Sequence, residues 1–292
     1  MLFRSDGAFG DRTGEGAYEV GITGLCVLAL LRSGAPADEP RVAKGLAFLR
    51  GREPTRTYEL AIQALALCAA GADDDLPRIQ RIVKLLEESQ RTNGANCGGW
   101  TYGPNAPGVV ADGSNTEFAL WALDEAARRG ARVRVQTWQD AAIYWTGRQN
   151  ADGGCGYSDR AGAAKSTGGM TCAGAASLAI CKQWLRPKGL VPEELGKALE
   201  RALENLDTVF SPDDNPGQHD WFLFYAVGLR RVAELTHRRK FGEQDWRAAI
   251  TEYLLKTQNA VTGYWREQQE LSSALISTSL ALWFLGETRA AR

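Results

Sequence analysis

The stretch AAIYWTGRQNADGGCGY, Ala141 to Tyr157, decides the fold, because its phrase returns as RAAITEYLLKTQNAVTGYW, Arg247 to Trp265. In both copies an amphipathic helix ends near a Gln, a Gly-aromatic turn follows, and an Ala-rich apolar helix comes next. A phrase of this kind, repeated along a chain, describes a helical hairpin that cannot bury its apolar face alone and must stack on its neighbours.

Working outward from these copies, the apolar helices after each turn align on a central small residue: Gly24, Ala64, Ala122, Ala176 and Gly228. The last helix aligns at Phe284, because Ala281-Leu282-Trp283 matches Ala119-Leu120-Trp121. The spacing of roughly 40 to 60 residues is that of a tandem array of helix pairs. Segments with helical apolar spacing lie between them: Pro40 to Arg50, Leu76 to Gln90, Gln136 to Arg148, Pro192 to Val209 and Gln244 to Gln258. The helices around Ala64, Ala122 and Ala176 are apolar on most faces and should be buried all round, whereas Leu76 to Gln90 keeps one charged face. An inner ring covered by outer helices satisfies both sets. Extended alternating Val/Ile/Tyr runs are scarce, so strands are not expected.

The chain has 292 residues and a formal net charge of −1. A chain this long can bury about three quarters of its unfolded surface, enough for a large core. The balance of charge leaves no footprint for nucleic acid, and no apolar run reaches the roughly 20 residues of a membrane-spanning helix. The start, MLFRSDGAFGDRTGEG, lacks the apolar core of a signal peptide, which leaves the compartment open. SDGAFGDRTGEGAYE reads instead like the end of a repeat, with no outer helix before it. The expectation is a single domain over 1–292 with six inner and five outer helices, the first outer helix missing, as in a fragment of a longer protein or a shortened copy.

The Gln to Gly-aromatic phrase resembles the repeat of squalene-hopene cyclases and of protein prenyltransferase beta subunits, which implies an α/α toroid. The resemblance also implies that Trp100, Tyr157 and Trp265, with the neighbouring Gln side chains, are structural glue between helix ends. DGSNTEFALWAL, MTCAGAASLAIC, FYAVGLRRVAELT and ISTSLALWFL are similar to a group of uncharacterised bacterial prenyltransferase/squalene-oxidase-repeat proteins, which implies the fold and no activity.

The chemistry of those families can be tested position by position. The Asp-x-Asp-Asp-Thr motif of the cyclases falls on Asp112-Gly113-Ser114-Asn115-Thr116. The acid position is Ser114, and a serine hydroxyl is far too weak an acid to protonate an alkene. Asp73-Asp74-Asp75 sit in a polar turn and do not replace it. The zinc-binding Asp-x-Cys pair of the prenyltransferases becomes Asp112-Gly113-Ser114, and the His position falls near Met170. Ser and Met leave no credible zinc site, so neither a metal nor another cofactor is expected. Cys26, Cys68 and Cys181 read as core thiols, and Cys97 and Cys155 as equivalent residues of two Gly-rich turns. Cys172 opens an inner helix, where the dipole favours a thiolate, but no His or Asp is fixed beside it.

One regularity owes nothing to a family motif. Glu19, Glu59 and Glu117 each stand five residues before the aligned small residue, at one register of three successive inner helices. In a ring they would crowd one end of the cavity together with Tyr18, Tyr58 and Asp112. They read either as acids offsetting helix dipoles, with Ser114 and Glu117 forming a capping box, or as a carboxylate pair for acid/base work or for holding a cationic or hydroxyl-rich ligand. Gln218-His219-Asp220-Trp221 with Tyr225 reads as a second cluster: an Asp220 helix cap, or an aromatic wall of the cavity. The preceding loop, Ser211 to Gly217, has turn chemistry and a position from which it could gate the mouth. The leading expectation is a non-catalytic toroid that binds a ligand, an isoprenoid or other small molecule, or a protein partner in its central cavity. The alternative is an enzyme acting on an isoprenoid or carbohydrate through the carboxylates at the mouth.

Overall fold

A computed structural model of the chain describes residues 3–10, 18–103, 110–157, 162, 164–267 and 274–286. Inner helices α1 (Glu19–Arg32), α3 (Thr57–Ala70), α5 (Gly113–Arg128), α7 (Gly168–Leu185), α9 (Phe222–Thr236) and α11 (Ala274–Leu285) alternate with outer helices α2 (Pro40–Arg50), α4 (Leu76–Ser89), α6 (Val135–Thr146), α8 (Glu193–Val209) and α10 (Trp246–Thr257). Each inner helix packs on the next, and α11 returns against α1, which closes the ring. The fold is an α/α toroid, with no strand among the described residues beyond isolated bridges such as Gln149 with Cys155. No helix among them is long and apolar enough to cross a membrane.

Burial follows the two compositions. In α7 the run from Gly168 to Cys181 is buried without interruption, as a wall packed on both sides requires, while α4 buries Ile79, Ile82, Val83 and Leu86 on one stripe. The outer helices expected from apolar spacing are present with ends shifted by a residue or two.

The recurring turn is a hydrogen-bonded joint. Gln90 Nε2 donates to the carbonyls of Gly98 and Thr137, both at 3.0 Å, and Gln149 Nε2 to those of Gly153 at 2.8 Å and Ala198 at 2.7 Å. One amide therefore fixes its own turn and the next outer helix. The Trp100 and Trp265 indoles donate back to Leu86 and Leu254, at 2.7 and 2.8 Å, satisfying carbonyls in the last turn of their outer helices. The backbone N–H of the turn then donates to a threonine of the following inner helix: Trp100 to Thr116, Cys155 to Thr171 and Trp265 to Thr278.

This joint corrects one equivalence. Cys155, and not Cys97, takes the place of Trp100: Gly98-Gly99-Trp100 matches Gly153-Gly154-Cys155 in role. Gly98 and Gly153 have φ of +87° and +81° and lie against a carbonyl of the next outer helix, Asp140 and Arg201 respectively. A Cβ would stand 1.8 Å from the first oxygen and 2.4 Å from the second, so only glycine fits.

Candidate functional site

The N-terminal ends of all six inner helices meet at one mouth of the ring, because an outer helix runs back between each inner helix and the next. The focus of this mouth is Asp112, the N-cap of α5. Its Oδ1 accepts from the backbone of Asn115 at 2.8 Å and from Ser114 Oγ at 2.7 Å, and its Oδ2 accepts from the Tyr157 phenol at 2.6 Å. Tyr58 and Tyr102 close the group, their rings 6.1 Å apart, and Tyr58 rests on Phe118 at 5.1 Å. Burial raises the Tyr58, Tyr102 and Tyr157 phenols above their ordinary range, and the Asp112 carboxylate adds to each shift. All three stay protonated donors at neutral pH.

The structure brings Tyr58 and Asp112 together as the register suggested, and adds Tyr102 and Tyr157. Tyr157 is not the glue that the repeat pattern implied. It is 53% exposed and presents its hydroxyl to Asp112, while Trp100 and Trp265 are the buried glue. The reason is local: the Gly153 turn delivers Cys155 to the buried position and leaves Tyr157 outside. Tyr18, 55% exposed, is stacked by the Arg56 guanidinium at 4.8 Å and lies on the α1 side of the mouth.

The three glutamates do not form a cluster. Glu19 and Glu59 lie in the first turns of their helices, but Glu117 stands deeper in α5, which begins earlier relative to the aligned residue. Glu19 is held by Arg4, which also binds Asp6 at 2.6 Å. Glu59 faces Gly21 of α1; burial raises its pKa, against opposing pulls from Arg56 and the Gly21 amide. Glu117, 3% exposed, faces Gly228 of α9 and Cys172 of α7, and burial pushes it up to about 8 against the pull of Arg231. Glu59 and Glu117 face different helices and neither contributes to the other's shift, which gives the carboxylate-pair alternative no support. The capping box fails for the same reason: Asp112 caps α5, Ser114 serves Asp112, and Glu117 turns inward.

Below the mouth, side chains from inner helices that are not neighbours in the ring meet across its interior. Ser114, Phe118, Trp121 and Glu125 lie along one face of α5. Phe118 lies 6.3 Å from Phe224 of α9, and Trp121 packs against Trp283 of α11, the helix opposite, with the rings tilted by 33° and centroids 4.6 Å apart. Such pairs gain beyond their buried area. The sequence offered a signal here, since Trp121 and Trp283 are the matched tryptophans of two repeats.

The second cluster is divided. Tyr225 is fully buried and its phenol oxygen accepts a long bond from the Ser211 backbone at 3.4 Å. His219 is exposed and paired with Asp214 at 2.6 Å, and Asp220 is exposed. Asp220 does not cap α9. The chain enters through Trp221 in the left-handed region, at φ +60°, and the free amide of Leu223 is capped from a distance by Glu267 Oε1 at 2.8 Å. Cys172 has no exposed surface, and burial, then Glu117, raises its thiol well above its ordinary range, which leaves an inert core residue.

The zinc positions do converge: a Cβ on Gly113 would lie 3.1 Å from Met170 Sδ. Their donors do not fit zinc. Ser114 is a neutral hydroxyl, Met170 a thioether, and Asp112 Oδ1 is already engaged. Among the described residues no three His, Cys, Asp or Glu side chains are grouped to hold a metal.

No protein-family model and no curated protein matches the chain. Solved structures share its fold. Protein geranylgeranyltransferase-I of Candida albicans, in complex with GGPP, is similar at TM-score 0.58 and 17% identity over 92% of this chain and 83% of that one. The type II terpene cyclase MstE from Scytonema, as the apo form of one variant, is similar at TM-score 0.60 and 15% identity over 97% of this chain and 91% of that one. A second variant of that cyclase, in complex with its product merosterolic acid A, gives TM-score 0.59 and 15% identity over the same shares.

Proposed function

We propose that this chain is a non-catalytic α/α toroid that binds a ligand or a protein partner at the mouth of the ring. One observation carries the reading. The axis is crossed by Phe118, Trp121 and Trp283, while Tyr102 and Tyr157 stand half exposed around Asp112. Recognition groups are thus concentrated at the rim. Phenol donors and a carboxylate suit a hydroxyl-rich or cationic group, and Tyr58 with Phe118 offers an apolar face to the remainder, as an isoprenoid or other small amphipathic molecule would require. The similar folds that carry GGPP or merosterolic acid A support an isoprenoid as the apolar part of that molecule.

The test is mass spectrometry of a denatured extract of the purified chain, wild type beside Asp112→Asn and Tyr157→Phe. A stoichiometric small molecule that both variants lose supports the mouth as its site. A molecule retained by both variants would place the ligand elsewhere and sink the reading. An empty extract from folded protein removes the small-molecule form and leaves the protein partner, to be sought by crosslinking at the position of Tyr102.

A second reading is favoured by Glu117, a carboxyl neutral at pH 7 inside the ring. A neutral acid at depth is what an enzyme protonating an isoprenoid or a glycosidic oxygen needs. It lacks a carboxylate partner, and its neighbours are a glycine and a buried thiol. Turnover of an isoprenoid or glycoside by wild type and not by Glu117→Gln would establish it.

A further inference from the structure

The glycine joint is built four times around the ring, and in one copy no helix is seated on it among the described residues. Gly7, Gly98 and Gly153 have φ of +91°, +87° and +81°, and a Cβ on each would stand 2.4, 1.8 and 2.4 Å from the carbonyl oxygens of Lys44, Asp140 and Arg201. Those carbonyls belong to α2, α6 and α8, in each case the outer helix after the next inner helix. Two residues beyond the glycine, Phe9, Trp100 and Cys155 donate their backbone N–H to Thr23, Thr116 and Thr171. Gly263 is the fourth member. Its φ is +72°, Trp265 donates to Thr278, and its N–H donates to Asn259 as that of Gly153 does to Asn150. A Cβ on Gly263 would nevertheless meet nothing within 4 Å among the described residues.

The glutamine of this turn is short of the same contact. Gln90 and Gln149 each donate once within their own turn and once to an outer helix, at Thr137 and Ala198. Gln258 Nε2 donates within its turn alone among the described residues, to Gly263 at 2.8 Å. The inner helix that follows is undercovered as well. With Thr278 matched to Thr116, Leu282 and Leu285 of α11 stand where α5 has Leu120 and Leu123. The α5 pair is fully buried and the α11 pair only half-buried.

The filled joints define what the vacant one accepts. The carbonyls read by Gln90 and Gly98, Thr137 and Asp140, are three residues apart on one helix, and so are Ala198 and Arg201, read by Gln149 and Gly153. The partner is therefore an α-helix seated by its backbone. The residue after the glycine's carbonyl is small each time, Gly45, Ala141 or Ala202, which permits the close approach. Three residues before it and four after it are apolar and buried: Val42 and Leu49, Trp138 and Trp145, Leu199 and Leu206. The α8 form fits best, because Tyr144 of α6 lies 2.3 Å from a Cβ at Gly99, the position that Tyr264 holds here. All five outer helices are already seated in the ring, and the stretches of 1–292 outside the described residues run to seven residues at most, fewer than the eight from Leu199 to Leu206.

We propose that the seam between α11 and α1, beside Gly263 and Gln258, is a docking site for an amphipathic helix of a partner protein, seated as α8 is on Gly153 and Gln149. Such a helix would supply the two carbonyls that the turn is shaped to read and cover Leu282 and Leu285. The surface lies on the outer wall and does not rest on the reading of the mouth.

The experiment titrates the purified full chain into a fluorescent synthetic peptide of the α8 sequence, Glu193 to Val209, and reads anisotropy. The expected result is saturable one-to-one binding. Gly263→Ala puts a Cβ in the path of the peptide carbonyl and should abolish binding while lowering Tm by only a few degrees, since the space is open in the free chain. Gln258→Ala should weaken binding about fivefold, the worth of one hydrogen bond. On the peptide side, Ala202→Leu should prevent binding although it adds apolar surface, and this arm needs no change in the chain. Absence of binding to the wild type overturns the site. Equal binding of all the variants means unspecific apolar adhesion and overturns it too. Sedimentation of the chain alone gives the remaining outcome: a dimer that Gly263→Ala dissociates would put a second copy in the seam and overturn the partner helix.

Discussion

Trp121 on α5 and Trp283 on α11 face each other from opposite walls of the ring and pack against each other, tilted by 33°, with centroids 4.6 Å apart. They belong to matching segments of two repeats, Ala119-Leu120-Trp121 and Ala281-Leu282-Trp283, so duplication of one apolar phrase supplies both halves of the contact. Toroid architecture leaves room on its axis for a ligand; here aromatic rings occupy part of it. The proposed recognition groups, Asp112 and the tyrosines, stand at the rim instead.

Trp283→Ala should remove this contact and leave a cavity at the seam of the ring. The expected loss is about 3–5 kcal/mol, the range for truncating a buried large aromatic residue. Denaturant unfolding measures it, and binding of benzene or xenon would report the new space. A loss near zero would mean that the indoles do not meet in solution.

Glu117 gives the fold a pH dependence of defined sign. Its folded pKa, about 8, lies above the ordinary 4.5. The folded chain therefore holds a proton that the unfolded chain has released between those values, and stability falls as pH rises from about 4.5 to about 8. Glu117→Gln, which cannot ionise, should flatten this limb and make the protein more stable than wild type at pH 8. Urea midpoints at pH 5, 6.5 and 8 for the two proteins suffice; parallel curves would show that Glu117 is ionised or solvated in the folded state.

The threonine joint predicts a matched series. Thr116, Thr171 and Thr278 each accept the backbone N–H of the preceding turn, and Thr116 and Thr171 pass their own protons to Asp112 and Thr167 carbonyls at 2.8 and 2.7 Å. Replacement by Val keeps the shape and strands a buried donor, at a cost of about 1–3 kcal/mol each. The same change at exposed Thr257, whose hydroxyl only bonds back along its own helix, should cost under about 0.5 kcal/mol. Equal effects at all four positions would deny the joint its role.

Two glycines with positive φ should respond very differently to alanine. Gly71 ends α3 at φ +77°, and a Cβ placed on it would meet nothing within 4 Å, so Gly71→Ala should cost about 1 kcal/mol, the strain of the left-handed conformation. Gly98→Ala adds a 1.8 Å collision with the Asp140 carbonyl and should prevent the turn from seating on α6. Tm of each variant decides it, with Gly98→Ala expected unfolded or lower by more than about 10 °C, beyond what a 1 kcal/mol change produces.

By itself the sequence determined the architecture. The Gln to Gly-aromatic phrase, the spacing of its copies and the contrast between apolar-all-round and one-faced helices can satisfy burial only as an inner ring with an outer cover, and each is a local property readable residue by residue. It also determined what the families' motifs could not do here, because Ser114 and Met170 lack the acidity and ligand chemistry at any geometry. Tertiary structure alone decided which residues meet. Glu19, Glu59 and Glu117 share a register in the string, yet α5 begins earlier relative to it and Glu117 sinks into the core, while Tyr102 and Tyr157, in turns of two different repeats, converge on Asp112. Depth and convergence depend on where each helix starts and how the ring closes, and those are set by contacts between residues tens to hundreds of positions apart, as between Trp121 and Trp283. No local pattern encodes them.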